Sequence, residues 1–214
     1  MSKPIANEVY VAFKASTIPI VGEEPNDWVT TIRGKLKLRG RNGKIIHVGE
    51  FILHIIEPQA YGDDQAPSNY NLLDVHSWVL SEFYSVLFGE DATDDLNEDE
   101  FSQEIAEILH LPGCRRFLVL ETIEIEPVFR GQRIGLIAIA RMIRLLAEDC
   151  DLVATKAVPL YPLRPDLNFE IATHKLMKYW QGLGFQPVPN HHPYMVMSAI
   201  TNLPSTPAIL GWDS

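Results

Sequence analysis

Two arginines and two glycines lie close together at Arg130, Gly131, Arg133 and Gly135, between a run typical of a β-strand and an apolar run typical of a helix. The first amides of a helix have no intrahelical acceptor, and the positive end of the helix dipole points the same way, so such a junction attracts anions. Residues 130–136 therefore predict a site for a phosphate group. The alternative is a plain connector, because glycines and arginines are common between a strand and a helix.

Two carboxylates, Glu121 and Glu124, interrupt the apolar strand that precedes this segment. Burial raises the pKa of a carboxyl group towards the range in which it serves as a general base. A regular strand directs these two residues to opposite faces, whereas a β-bulge would change that phase. Each is a candidate base, with Glu121 preferred. The alternative for each is a carboxylate at a sheet edge or on the surface.

The elements that must position these groups alternate through the second half of the chain. The patterns predict strands over 116–125, 152–158 and 194–200 and helices over 134–148 and 169–183. Strand–helix–strand order with short links implies parallel pairing of the first two of these strands. The predicted class is α/β (α+β), with a mixed twisted sheet and helices on both faces.

The first half predicts β-structure followed by a polar stretch with helices. Strands are predicted over residues 8–13, 29–38 and 44–56, with an Asn-Gly turn signal between the last two. Helices are predicted over 74–88 and 101–109. The acidic run between them lacks the Gly and Glu positions of a calcium loop, so we assign no metal to it. We interpret 1–214 as a single domain in which 57–113 is a helical and acidic insertion.

Composition excludes several function classes. The formal charge of −10 argues against nucleic-acid binding, which needs a field of basic side chains. The two cysteines, Cys114 and Cys150, have no metal-ligand spacing, and Cys150 follows an acidic pair that disfavours a thiolate. His174, His191 and His192 also lack the spacing of a metal site. No apolar run has the length of a signal peptide or membrane helix, so we expect a cytoplasmic protein without a membrane partner.

Two runs in the second half resemble the GNAT (general N-acetyltransferase) superfamily. Residues 125–135 are similar to its pyrophosphate-binding segment, in which a strand ending in V-x-P-x-[YF]-R-G precedes x-G-[IL]-G and a helix. Residues 175–185 are similar to the exit of its fourth helix, F-Y-x-x-L-G-F. The resemblance covers about 115–200. It implies the GNAT fold, in which the two central parallel strands splay apart.

The resemblance also implies an activity, a cosubstrate and a set of residues. The expected activity is transfer of an acetyl or other short acyl group from acetyl-CoA to a primary amine of a small molecule or peptide, without a metal. Loop amides would bind the pyrophosphate of coenzyme A, and the preceding strand would pair with its pantetheine arm. By position, the loop residues are Arg130, Gly131, Gln132, Arg133, Ile134, Gly135 and Leu136, and the strand residues are Ile123 and Ile125.

The sequence departs from the family pattern at two positions. Arg133 replaces a glycine, and Trp180 replaces the tyrosine that usually protonates the thiolate. Tyr179, which lies ~100° around the helix, is the candidate acid in its place. A weak or inert CoA-binding regulatory module is therefore the alternative function, and an unrelated phosphate-binding α/β protein is a third. The acceptor and the oligomeric state stay open, with a dimer among the alternatives.

Overall fold

The computed structural model describes residues 9–16, 29–39, 43–57, 78–89, 101–111, 116–147, 149–160, 168–199, 203–205 and 208–209. Its strands are β1 (Val9–Ser16), β2 (Val29–Arg39), β3 (Ile45–Ile56), β4 (Phe117–Ile125), β5 (Leu152–Lys156), β6 (Gln186–Pro187) and β7 (Tyr194–Ser198). Its α-helices are α1 (Trp78–Phe88), α2 (Gln103–Leu109), α3 (Ile134–Leu146) and α4 (Phe169–Gln181). A 3-10 turn, Pro127–Phe129, lies between β4 and α3.

The seven strands form one sheet in the order β1-β2-β3-β4-β5-β7-β6. Only β4 and β5 pair in parallel, and every other neighbouring pair in this sheet is antiparallel. The parallel pair flanks α3, as a strand–helix–strand unit requires. The predicted α/β class with a mixed sheet is confirmed.

Helices cover both faces of the sheet. Helices α3 and α4 bury Ile137, Met177 and their neighbours against one face, to which Leu118 and Val153 of the sheet contribute. We call this the α3 face. Helices α1 and α2 pack on the opposite face, the α1 face, where Phe83 and Ile105 meet Phe117 and Val119 of β4. Because side chains alternate along a strand, each strand residue can be assigned to one of these faces.

A β-bulge in β4 shifts that alternation. Ile52 of β3 pairs with Thr122 and Leu53 pairs with Leu120, so Glu121 is the extra residue. After the bulge, Ile123 and Ile125 pack against the core of the α3 face. Glu121 and Glu124 consequently both lie on the α1 face. The sequence left open a regular strand, which would put the two carboxylates on opposite faces, and a bulge, which would change the phase; the structure has the bulge.

The predicted elements differ from the observed ones mainly at their ends. Strand β1 continues to Ser16, three residues past its predicted end, and helices α3 and α4 each end two residues early. The two-residue strand β6 was not predicted, since it is too short to have a periodicity. The predicted loop at 58–71 and most of the acidic run, 90–100, lie outside the described residues. The single-domain interpretation and the insertion stay predictions.

Candidate functional site

The pairing of β4 with β5 stops halfway along β4. The last paired residues are Leu120 and Thr155, and the Thr155 hydroxyl donates a hydrogen bond to the Leu120 carbonyl at 3.1 Å. Strand β4 then continues to Ile125, whereas β5 ends at Lys156. Among the described residues, no strand pairs with the β5 side of residues 121–125. The central parallel strands therefore splay apart, as predicted, and leave a strand edge to which an extended ligand can bind.

The loop that follows β4 contains two residues in the left-handed backbone region. Gly131 has φ +76° and Arg133, at the N-cap of α3, has φ +58°. That conformation costs a residue with a Cβ roughly 1–2 kcal/mol, whereas glycine adopts it freely. Arg133 thus keeps the backbone geometry natural to the glycine that it replaces in the family pattern, and this geometry turns the chain into α3.

The first turn of α3 and the loop before it present backbone donors. The amides of residues 131–135 have no acceptor within the part of the chain that the structure describes, whereas the Leu136 amide donates to the Tyr179 hydroxyl at 3.0 Å. The first turn of α3 contains no acidic residue that would offset the helix dipole. These donors and the dipole together form a local environment suited to a phosphate.

The arginines of the loop are anchored by backbone carbonyls. Arg130 donates from Nε to the carbonyl of Ile125 at 2.7 Å, and its Nη2 lies 3.8 Å from a carboxylate oxygen of Glu124. Arg133 donates from Nη1 to the carbonyl of Ile209 near the C-terminus. The Arg130 side chain is 57% exposed and has further N–H donors to offer. Arg133 is exposed as well, and Arg130 differs from it in being held at the end of β4, where it can contact an anion at the loop.

The Tyr179 hydroxyl lies against the N-terminal turn of α3. Burial raises the pKa of Tyr179, although the hydrogen bond from Leu136 and the positive charge of Arg133 oppose that shift. A Cβ at Gly135 would lie 3.0 Å from the Tyr179 oxygen, so glycine is the residue that leaves room for the hydroxyl. Trp180, beside it, is buried against Phe185. The catalytic role of Tyr179 stays a prediction. In the structure its hydroxyl accepts a hydrogen bond from the first turn of α3.

We expect a strong energetic coupling between Gly135 and Tyr179. In the natural background, Gly135→Ala should lower the free energy of unfolding by about 1 kcal/mol, because the new methyl group displaces the hydroxyl. In a Tyr179→Phe background the same change should be neutral or stabilising, since alanine favours a helix over glycine by ~1 kcal/mol. Urea denaturation of the four proteins measures this coupling. Equal effects of Gly135→Ala in both backgrounds would contradict the contact.

Three polar side chains form a hydrogen-bonded row across β2, β3 and β4 on the α1 face. The Thr31 Oγ1 lies 3.0 Å from His54 Nδ1, and His54 Nε2 lies 2.6 Å from the Glu121 carboxylate. The His54 side chain is 3% exposed and that of Glu121 is 23% exposed. The short distance is typical of a charge-assisted bond, with the histidine N–H donating to the carboxylate. The row fixes the orientation of Glu121, which still contacts solvent.

A second polar cluster lies at the end of β5 on the same face. Lys156 Nζ is 2.6 Å from a Glu82 carboxylate oxygen of α1, and the Tyr194 hydroxyl donates to the same oxygen at 3.2 Å. Burial lowers the pKa of Lys156, but its hydrogen bonds to Glu82 and Tyr194 outweigh burial, and the net shift is upward. Burial raises the pKa of Tyr194. Both groups hold their protons at neutral pH.

Cys150 follows β4 and α3 in the chain and is only 3% exposed. Burial raises the pKa of its thiol from 9.0 to about 11, although Arg116 opposes the shift. A thiolate is the nucleophilic form of cysteine, so Cys150 is unreactive at neutral pH. This agrees with the sequence-based rejection of a nucleophilic role. Cys114 lies outside the described residues.

We expect Cys150 to resist alkylation. In a Cys114→Ser variant at pH 8, iodoacetamide should modify native Cys150 at least ~100-fold more slowly than the same cysteine in guanidinium chloride, because a rise of two pKa units reduces the thiolate fraction by that factor. Mass spectrometry of timed samples measures both rates. Equal native and denatured rates would show that the thiol is accessible and ionised.

The described residues contain no group of three or more His, Cys, Asp or Glu side chains placed to hold a metal ion. His174 and His192 are exposed, on α4 and before β7. No helix within the described ranges has both the length and the apolar character needed to cross a bilayer.

Sequence reasoning missed four residues of the site: Thr31, His54, Glu82 and Lys156. A usable signal existed for His54, which is a lone titratable residue in the apolar run Phe51 to Ile56. Thr31, Glu82 and Lys156 have no comparable signal, because their partners are far away in the sequence. Their positions follow from strand register and from the packing of α1.

Comparisons with known proteins found one distant structural likeness. No protein-family model matches the chain, and no curated protein matches it. A crystal structure of a putative arylalkylamine N-acetyltransferase 7 from the yellow fever mosquito Aedes aegypti is similar in structure, with 16% identity and a TM-score of 0.34. The likeness covers 82% of this chain, which spans 65% of that one.

Proposed function

We propose that this protein is an acyl-CoA-dependent N-acyltransferase of the GNAT type, which moves an acetyl or other short acyl group to a primary amine. The observation that carries this proposal is the open edge of β4, which connects a group of anion-binding amides with a candidate general base. Unengaged loop amides lie past Ile125 at one end, and Glu121 lies at the splay at the other. About four residues of extended strand, ~14 Å, separate Glu121 from Ile125.

Coenzyme A suits this arrangement because it is an extended molecule with a charged end and a reactive end. Its pyrophosphate would accept hydrogen bonds from the amides of residues 131–135, with Arg130 adding charge at the rim. Its pantetheine amides would pair with the backbone of Ile123 and Ile125 along the open edge. The thioester would then reach the splay beside Glu121.

Glu121 is the general base in this mechanism. An ammonium ion cannot attack a thioester, so the substrate must first lose a proton, either directly to the Glu121 carboxylate or through one water. The neutral amine then forms a bond to the thioester carbon, the nitrogen of the adduct releases its second proton to solvent, and collapse of the adduct breaks the carbon–sulfur bond. His54 is a positioning residue, since it holds Glu121 through the 2.6 Å bond and is itself held by Thr31.

The thiolate that leaves needs a proton or a positive charge nearby. Lys156, at the end of β5, and Tyr194, its partner at the start of β7, hold protons at neutral pH and lie next to the splay. We assign them the role that the family usually gives to the tyrosine replaced by Trp180. Tyr179 remains the alternative donor, although its hydroxyl already accepts the Leu136 amide.

A second candidate function is a CoA-binding module without turnover. The observation that favours it is the position of Trp180, which is 3% exposed and fills the core where the family's acid would stand. Such a module would keep the loop and the open strand edge but release no thiol.

Two measurements test the proposal. Isothermal titration with acetyl-CoA and with CoA should show saturable binding with a stoichiometry of one per chain. A thiol-release assay over a panel of amines and peptides should then show turnover that requires both substrates. Saturable binding without thiol release on any amine would favour the inert module. Absence of CoA binding would overturn both functions.

A further inference from the structure

An open groove lies on the α1 face beside the Thr31–His54–Glu121 row. It has a volume of about 530 Å³, which is within the range of pockets that hold small ligands. The groove is lined by Ala12, Arg33, Gly34, Lys35, Lys37, Glu50, Phe51, Ile52, Thr122 and Glu124. Four neighbouring strands, β1 to β4, thus contribute to it.

Strand register fixes the position of the groove relative to Glu121. Thr31 pairs with His54 in the polar row, and two residues further along β2, Arg33 pairs with Ile52, which pairs in turn with Thr122. The groove therefore begins one step beyond the row, on the same face. A molecule lying in it can reach the Glu121 carboxylate with one end.

The cations of the groove are not all neutralised. Arg33, Lys35 and Lys37 alternate along β2, so they share a face. Lys35 lies 3.8 Å from Glu50, and Glu124 lies 3.8 Å from Arg130 of the loop. Arg33 and Lys37 make no ion pair with any described residue. Two cations that pair with none of the described residues, on one wall of a groove in a chain of net charge −10, favour an anionic ligand group.

We propose that the acceptor is a primary amine that also carries a carboxylate, which Arg33 binds in this groove, while Lys37, ~13 Å further along β2, adds positive charge to the same wall. The inference rests on the proposed acyl transfer, with Glu121 next to the amine. Two strand spacings and one step along the strand place Arg33 roughly 12 Å from Glu121 at the backbone. The amine and the carboxylate are therefore on the order of 10 Å apart, too far for the α-carboxylate of a single amino acid.

An extended peptide has the required dimensions. Each residue spans at most ~3.6 Å, so side chains at the third and fourth positions lie about 10 Å from the N-terminal nitrogen. A peptide N-terminus followed by acidic residues at those positions would present its amine to Glu121 and a carboxylate to Arg33, on the wall to which Lys37 adds charge. A smaller amine with a distant carboxylate offers the same chemistry.

Matched peptides test the groove by binding. The peptide probes are Ala-Ala-Glu-Glu-Ala and Ala-Ala-Gln-Gln-Ala, each with a fluorophore on its C-terminal amide, and they are titrated with CoA-saturated protein. A second pair of probes, 6-aminohexanoate and its amide, tests whether the acceptor is a smaller amine with a distant carboxylate. We expect the acidic peptide to bind at least ~10-fold more tightly at low salt and to lose that advantage at high salt. An Arg33→Gln/Lys37→Gln variant should lose the preference, and Lys178→Gln, an exposed change on α4, should keep it.

Binding and turnover separate the two proposals. Equal affinity for the acidic and neutral peptides together with equal affinity for 6-aminohexanoate and its amide would overturn the groove as a carboxylate site, and so would a preference that survives the Arg33→Gln/Lys37→Gln variant. A preference that depends on Arg33 and Lys37 supports the groove as a carboxylate site, whether or not thiol is released. If no thiol is released, only the proposed acyl transfer is contradicted. Thiol release without any preference would support acyl transfer and reject the groove. Preference for 6-aminohexanoate over its amide, without a peptide effect, would assign the site to the smaller amine.

Discussion

Replacement of Glu121 by glutamine is expected to lower the rate of acyl transfer by roughly 10²–10⁴-fold, which is the usual contribution of a general base. Glutamine keeps the size of the side chain and can still accept a hydrogen bond from His54, but it cannot take a proton from the amine. The rate constant kcat should fall, while the affinity for CoA stays unchanged. Thiol release at saturating acetyl-CoA and isothermal titration measure the two quantities.

Glu124 provides a matched control for this substitution. It lies on the same strand and the same face as Glu121, but it is paired with Arg130 instead of a buried histidine. Glu124→Gln should change kcat by less than about 3-fold. A full rate in Glu121→Gln, or a larger loss in Glu124→Gln, would remove Glu121 from the mechanism.

His54 acts through Glu121, so its removal should give a smaller effect of a different kind. A His54→Leu change, which removes the hydrogen bond that orients Glu121, should lower kcat by about 10-fold and leave the affinity for CoA unchanged. A purely structural role would lower the free energy of unfolding and leave kcat of the folded protein unchanged. This comparison separates a positioning residue from a core histidine.

The regular elements of the fold could be predicted from local patterns. The Pro127 stop, the glycines of the loop and the apolar run after them fixed the start of α3 at Ile134, where the structure has it. The order of strands and helices also indicated the parallel pair β4–β5. Both features depend on neighbouring residues in the sequence, where periodicity and turn chemistry are informative.

The polar row could not be predicted, because it depends on register. Glu121 and His54 are 67 residues apart, and they meet only because β3 and β4 pair with a bulge at Glu121. A shift of one residue would turn His54 to the other face of the sheet. The sequence showed two carboxylates of opposite parity, whereas the bulge places both on one face and selects Glu121 as the one that contacts a buried histidine.

The same limitation applied to the loop. The sequence showed Arg133 at a glycine position and left its backbone conformation open. The structure shows a left-handed Arg133 whose side chain reaches Ile209, a contact 76 residues away that no local pattern could indicate. Both arginines are exposed, and the Nε of Arg130 is held at the Ile125 carbonyl, at the end of the open edge of β4, so a test of anion binding should begin with Arg130.

Replacement of Arg130 by glutamate is expected to weaken CoA binding by about 10–100-fold at low salt. The change reverses a charge at the rim of the loop, and a unit charge ~4 Å from a phosphate contributes about 1–4 kcal/mol, depending on solvent exposure. The dissociation constant of CoA should therefore rise, and the difference from the natural protein should shrink as salt screens the charge. Isothermal titration at two salt concentrations measures this effect.

Two further variants show whether the effect is local and whether it is electrostatic. Lys178→Glu makes the same charge change at an exposed position of α4 and should leave the affinity within about 2-fold, because Lys178 makes no ion pair or side-chain hydrogen bond with a described residue of the loop and its charge is screened by solvent and salt. Arg130→Lys keeps the charge but not the planar donor set of arginine. It should retain most of the affinity for CoA if the charge of Arg130 provides most of the binding energy, and it should lose that affinity if bidentate hydrogen bonds to the phosphate provide it. Unchanged CoA affinity in Arg130→Glu, with circular dichroism confirming a folded protein, would mean that the anion lies elsewhere and that the loop is a connector.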